Sequence, residues 1–195
     1  MQNTVAKSIS EKTEDRSQEE KFLTFLTDGE LFGIPISDVV QIIGMQEITP
    51  LPDFPDYAKG VINLRGNIIP VVDMRIRLKK PEIAYNENTC IIVTSIGDTY
   101  MGFIVDSVDE VANISDDDIS PAPVVSDRIS NRYLTGIGQI DKKVVLLLDL
   151  SKILTQSEFQ QVTQTVEQAV SAPEEEGASD SAVENAEDAE NKHKE

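Results

Sequence analysis

The chain has 195 residues, 39% of them hydrophobic, and a formal net charge of −18. That length suits one domain or two small lobes with tails, and the apolar residues between Phe22 and Leu154 suffice for an ordinary core. The charge divides as −2 over residues 1–20, −7 over 21–155 and −9 over 156–195, and an acidic central part speaks against nucleic acid or an anionic membrane surface as partner, leaving a protein or a small molecule.

Residues 1–20 are polar and read as a mobile tail. Phe22–Thr27 and Leu31–Ile36 read as two strands joined by a turn at Asp28-Gly29, with Pro35 near an edge or a bulge. Ser37-Asp38 looks like a helix N-cap, so the β-branched run Val39–Ile43 is expected to be a turn or two of helix running into strand, ended by Gly44. Thr49–Tyr57, with Pro50, Pro52 and Pro55, reads as an extended loop.

Gly60–Asp73 follows, with two apolar runs flanking the polar break Arg65-Gly66-Asn67. This is a hairpin pattern in which Gly66 or Asn67 can take a positive φ, and it places Arg65 at or beside the tip. A guanidinium there is a permanently charged fork of donors. No Ser, His or Cys lies near it to make it catalytic, so Arg65 reads as a contact residue or, on the residues alone, as a plain solvated turn arginine. Arg75, Arg77, Lys79 and Lys80 form the densest basic group. They suit either a solvated strand or helix face or a docking surface that Arg65 could join.

Thr89–Ser95 and Thr99–Asp106 read as a hairpin over Gly97-Asp98, and Val108–Ile114 as a strand or a short helix. Asp116–Pro123 reads as a linker, and Tyr133–Ile140 with Lys143–Asp149 as a last hairpin over Asp141-Lys142. Ser151 is read as capping a helix that runs to about Val170, and the domain division assigns 156–170 to that helix and 171–195 to a disordered acidic tail. Many short strands with Gly and Pro punctuation give an all-β class. Strand blocks on both sides of a Pro-rich, charged middle suggest two small barrels packed together.

The only histidine is His193, inside the acidic tail, so a histidine-centred triad, acid–base pair or phosphorelay has no residue to work with in the folded part. The one cysteine, Cys90, cannot form an internal disulfide and suits a reducing cytoplasm as a small hydrophobe. Phosphate-loop and dinucleotide motifs are missing, Asp116–Asp118 lacks the spaced ligands of a calcium loop, and no metal or other cofactor is expected. The absence of a long apolar run argues against direct membrane insertion.

Taken with Arg65, the Gly60–Asp73 segment resembles the signature of the bacterial chemotaxis coupling proteins, the CheW family. The likeness continues in order through Phe32–Gly44, Asn86–Val93, Gly102–Val111, Ile119–Pro123 and Tyr133–Gly138, and covers residues 21–155. It implies two SH3-like five-stranded β-barrels around a shared hydrophobic groove. It also implies a non-catalytic cytoplasmic adaptor recruited to membrane-associated receptor arrays. Its partners would be the cytoplasmic tip of a chemoreceptor, the regulatory domain of a histidine kinase, and other coupling proteins in rings. On the resemblance, Arg65 is the receptor-contact arginine, Gly60 and Gly66 shape its hairpin, and Val39, Ile91 and Val108 line partner-facing surfaces. Gln41 stands where the family commonly carries an acid, on the side assigned to the kinase. The lost charge would weaken an ion pair with a basic partner, and leaves a variant scaffold of a non-flagellar array as the alternative.

Overall fold

The strands form where β-branched and aromatic residues run between turn residues. The computed structural model describes residues 19–122, 132–140 and 142–171, and eleven strands are found among them. β1 (Glu19–Thr27) and β2 (Glu30–Pro35) make the first hairpin, over Asp28 and Gly29 in the left-handed region. A 3-10 turn at Ile36–Asp38 follows, and then β3 (Val39–Gly44). The helix expected over Val39–Ile43 is absent. Four of those five residues are β-branched, which restricts their rotamers in a helix, and they pair as a strand instead.

β4 (Ala58–Leu64) and β5 (Asn67–Asp73) form the second hairpin. One turn of helix, α1 (Met74–Arg77), closes it, capped by Asp73, whose carboxylate accepts from the Arg75 and Ile76 amides at 2.8 and 3.3 Å. β6 (Cys90–Ile96), β7 (Thr99–Val105) and β8 (Ser107–Ser115) come next. Asp116–Asp118 make a 3-10 turn and Ile119–Pro121 a short strand, β9, so most of the expected linker is ordered; Pro123 lies outside the described residues. β10 (Leu134–Ile140) and β11 (Lys143–Leu148) form the last hairpin, with Lys142 at φ 72° and Asp141 outside the described residues.

Two sheets result. One has the order β8-β1-β2-β11-β10-β9 and the other β3-β6-β7-β5-β4, each with a single parallel pair, β2 with β11 and β5 with β7. The all-β class with two barrel lobes stands, with two corrections. The first lobe has six strands rather than five. The lobes are also not consecutive blocks: the second is inserted between β2 and β8 of the first. The cause is long-range pairing, since β1 takes β8 as its second neighbour (Phe22 opposite Ala112, Phe25 opposite Val108).

Each lobe has its own small core, Phe22, Ile114, Val145 and Leu147 in the first and Ile62, Ile69, Val71, Ile91, Val93 and Ile104 in the second. A larger cluster joins them and draws Leu23, Phe25, Phe32 and Ile34 from one sheet and Val72, Ile92, Met101 and Phe103 from the other. Phe25 and Phe32 stack at 5.7 Å within it. The C-terminal helix α2 (Gln156–Ser171) adds Val162 to the same cluster. Ser151 does not cap this helix. Asp149 caps a separate 3-10 turn at Leu150–Lys152, and Thr155 opens α2 by a reciprocal pair in which the Glu158 amide donates to Thr155 Oγ1 and the Thr155 amide to Glu158 Oε2. Of the tails expected at 1–20 and 171–195, Glu19 and Glu20 instead begin β1, where they pair with β8, and Ser171 ends α2; residues 1–18 and 172–195 lie outside the described residues.

Candidate functional site

At the β4–β5 tip, Arg65 (φ 55°) and Gly66 (φ 91°) both take left-handed backbone while Leu64 pairs with Asn67. This is a two-residue turn of the primed kind. Asn67 therefore sits in the strand, and the positive φ falls on Arg65 rather than on Asn67. The Gly66 amide donates to Asn63 Oδ1 at 2.8 Å, which holds the turn from inside. Arg65 is exposed, and its guanidinium has no ion pair or hydrogen bond among the described residues.

Gly60 is buried at φ 141°. Thr49 pairs with Val61 through two 2.9 Å bonds, and any Cβ on Gly60 would overlap the Thr49 carbonyl. Gly60 thus lets the segment after β3 cross β4 and shapes the lobe that carries the hairpin, while its own atoms face inward.

The apolar candidates separate. Ile91 is fully buried in the core of the second lobe, so its side chain cannot reach a partner-facing surface; the alternation of β6 turns it inward. Val39 and Val108 are half-buried and both pack on the cluster between the lobes. Cross-strand partners share a face. Val39 lies opposite Thr94 and Ile42 opposite Ile92, on the face turned toward the other sheet. Across the gap, Val108 lies opposite Phe25 and Val111 opposite Leu23, again on the face of the shared cluster.

Ile42 is 42% exposed and Val111 52%. Both belong to edge strands, β3 and β8. Cys90 sits between them: its neighbours in the ladder are Gly44 and Val105, and its thiol lies against the Val108 backbone N–H. Burial pushes the thiol pKa up, against that N–H, so Cys90 is an apolar lining group and not a thiolate. These residues form an apolar strip at the lobe junction, Val39, Ile42 and Cys90 from one sheet and Val108 and Val111 from the other.

Two of the expected residues, Val39 and Val108, belong to this strip and pack on the same cluster. Ile42 and Val111 were missed by sequence reasoning because their exposure follows from edge position, which strand pairing decides. Gln41 is half-buried, opposite Val93, and so points to the face away from Val39 and Ile42.

The basic group is neither a solvated face nor a free docking surface. Arg75 reaches into the first sheet and grips Asp106 with both ends of its fork, Nε to Oδ1 at 2.6 Å and Nη2 to Oδ2 at 2.7 Å. Its Nη1 also donates to Asp28 Oδ1 and to the Pro81 carbonyl, each at 3.1 Å. Lys80 pairs with Glu30 at 2.9 Å. Arg77 turns toward the C-terminal helix, donating to the Ile153 carbonyl at 2.7 Å and Glu158 Oε2 at 3.2 Å while lying 5.1 Å above the Tyr57 ring.

Burial and the Glu158 charge push the Tyr57 hydroxyl up to about 12, keeping it neutral. Burial and the bond to Asp73 likewise hold the Tyr85 hydroxyl above its usual range. Lys79, at φ 59°, is the one exposed member of the group. Among the described residues there is no cluster of three or more potential metal ligands, and no helix is long and apolar enough to cross a membrane.

Comparison with known proteins agrees with this architecture. The family model for the CheW-like domain matches residues 21–158. The chain is 36% identical to the chemotaxis protein CheW of Klebsiella aerogenes over 140 residues, 72% of this chain and 84% of that one. It is 32% identical to the chemotaxis protein CheW of Helicobacter pylori over 148 residues, 75% and 88% of the two chains. Among solved structures it is similar to the scaffolding protein TtCheW of Thermoanaerobacter tengcongensis, with a TM-score of 0.65 and 33% identity over 70% of this chain and 92% of that one.

Proposed function

Since the chain belongs to the CheW-like domain family, we propose that it is a non-catalytic chemotaxis adaptor. It would hold the cytoplasmic tip of a chemoreceptor and the regulatory domain of a histidine kinase together in a membrane-associated array, so that receptor state sets kinase activity. The observation that carries this reading is the apolar strip that both sheets contribute at the lobe junction, which we read as a two-walled groove. A strip with Ile42 and Val111 exposed is built to cover the apolar face of an amphipathic helix, the form a receptor tip presents.

Arg65 adds a guanidinium on a rigid turn, free to pair with an acidic group of the partner and to set its register. Gly60 and Gly66 serve this contact by holding the hairpin. Gln41 is half-buried on the side of β3 that meets the second lobe's own core, so a kinase contact by this residue would be made from the sheet edge, through its amide rather than an ion pair.

The reading is tested by mixing the purified chain with a receptor signalling fragment and the kinase and following both complex formation and phosphorylation. A ternary complex with altered kinase activity is expected. A folded chain that binds neither partner would sink the proposal.

A further inference from the structure

Arg75 lies on the second lobe and holds on to the first. Its backbone is pinned at the end of β5 by the Asp73 cap, and the Tyr85 hydroxyl donates to Asp73 Oδ2 at 2.8 Å to brace that cap. Its side chain, 12% exposed, ends on Asp106 and Asp28. Asp106 is the whole crossover between the sheets, because β7 ends at Val105 and β8 begins at Ser107. Asp28 belongs to the β1–β2 turn, and its amide donates to the same Asp106 carboxylate at 2.8 Å. The Asp106 amide donates to the Leu26 carbonyl at 3.0 Å. One guanidinium therefore joins the crossover, the far turn and its own lobe.

Two residues beyond Asp106 is Val108, the near end of one groove wall, while the other wall rides on the lobe that carries Arg75. A planar fork bound at both ends fixes direction as well as distance, which a flexible ammonium does not.

We propose that Arg75 is a positioning residue for the groove: its grip on Asp106 and Asp28 sets how far apart and at what angle the two apolar walls stand. Arg75 does not line the groove and touches no partner. It acts through the crossover, so the partner it tunes is the one that spans both walls. In this respect the inference rests on the adaptor reading given above.

The test uses the full chain with Arg75→Lys, which keeps the charge and loses the fork, and Asp106→Asn, which keeps the shape and loses the charge. Residual dipolar couplings report the orientation of the two sheets directly, and titration with a receptor signalling fragment reports the groove. In both variants, the couplings of each sheet are expected to fit that sheet alone but not the wild-type arrangement of the pair. Affinity for the fragment should fall by about tenfold.

Wild-type lobe orientation in folded variants overturns the proposal, as does fragment affinity within twofold of wild type. Unfolding of both variants also overturns it, because a group needed for the fold itself has no separate positioning role. If the wild-type chain itself fails to bind the fragment, the adaptor reading falls, and the couplings still decide whether Arg75 sets the lobe orientation.

Discussion

The Arg65 turn shows how far one residue's conformation can specialise a site. A left-handed non-glycine residue is strained, and strain of this kind persists where neighbours hold it. Here Gly66 and the side-chain oxygen Oδ1 of Asn63 do so. Arg65→Ala is expected to leave the melting temperature and kinase-domain binding nearly unchanged while weakening receptor-fragment binding by about tenfold, as for an interface charge; calorimetric titration against each partner separates the two effects. Asn63→Ala keeps the guanidinium but loosens the turn, and should cost about 1 kcal/mol of stability by denaturant unfolding. Gly60→Ala meets backbone rather than open space, and an expected loss of roughly 3 kcal/mol would lower the melting temperature by ~6–12 °C. The hairpin and its glycines were legible in the residues because turn chemistry is local. The burial of Ile91 was not, since its run Cys90–Val93 is apolar on both faces and does not tell which side meets a partner.

At the level of elements, most strands were legible and the failures share a cause. Val39–Ile43 carries a cap signal at Ser37-Asp38, but β-branched content and pairing with β6 outweigh it. Ser151 looked like a cap because it precedes an apolar pair. The stronger local signal was Thr155 with Glu158 three residues on, a capping box that also takes a charge from Arg77.

Burial pushes the Glu158 carboxyl up, but the Thr155 amide and hydroxyl, with Arg77 and Arg132, outweigh it and hold the pKa below its ordinary value of 4.5. A depressed folded pKa stabilises above the unfolded value and loses that contribution as pH falls through the folded one. Glu158→Gln keeps a capping acceptor and removes the charge. Its stability deficit, about 1 kcal/mol at neutral pH, should therefore shrink as pH drops below 4.5. Urea melts of both proteins at neutral and acid pH check this; a deficit independent of pH would show that the charge contributes nothing.

For the molecule as a whole, composition alone spoke against nucleic acid, membrane and histidine chemistry, and the strand blocks suggested two lobes. What could not be read was which strands share a lobe, because pairing across some ninety residues, such as Phe22 with Ala112, leaves no local mark. The basic group was misread for a related reason. Arg75, Arg77 and Lys80 look like a surface patch in sequence, and their acids, Asp106, Glu158 and Glu30, come from three distant parts of the chain.

The nested arrangement of the lobes also has a consequence for the order in which the protein is made. A growing chain completes β1 and β2 first, yet β1 waits for β8 and β2 waits for β11. The strands of the inserted lobe, residues 39–105, all emerge before either partner exists. Synthesis should therefore pass through a stage in which the later-made lobe is folded and the earlier-made hairpin is not. Ribosome-arrested chains from which residue 105 but not β8 has emerged are expected to protect β3–β7 from protease while β1 and β2 are cut. The last strand made is then the one that locks in the first hairpin.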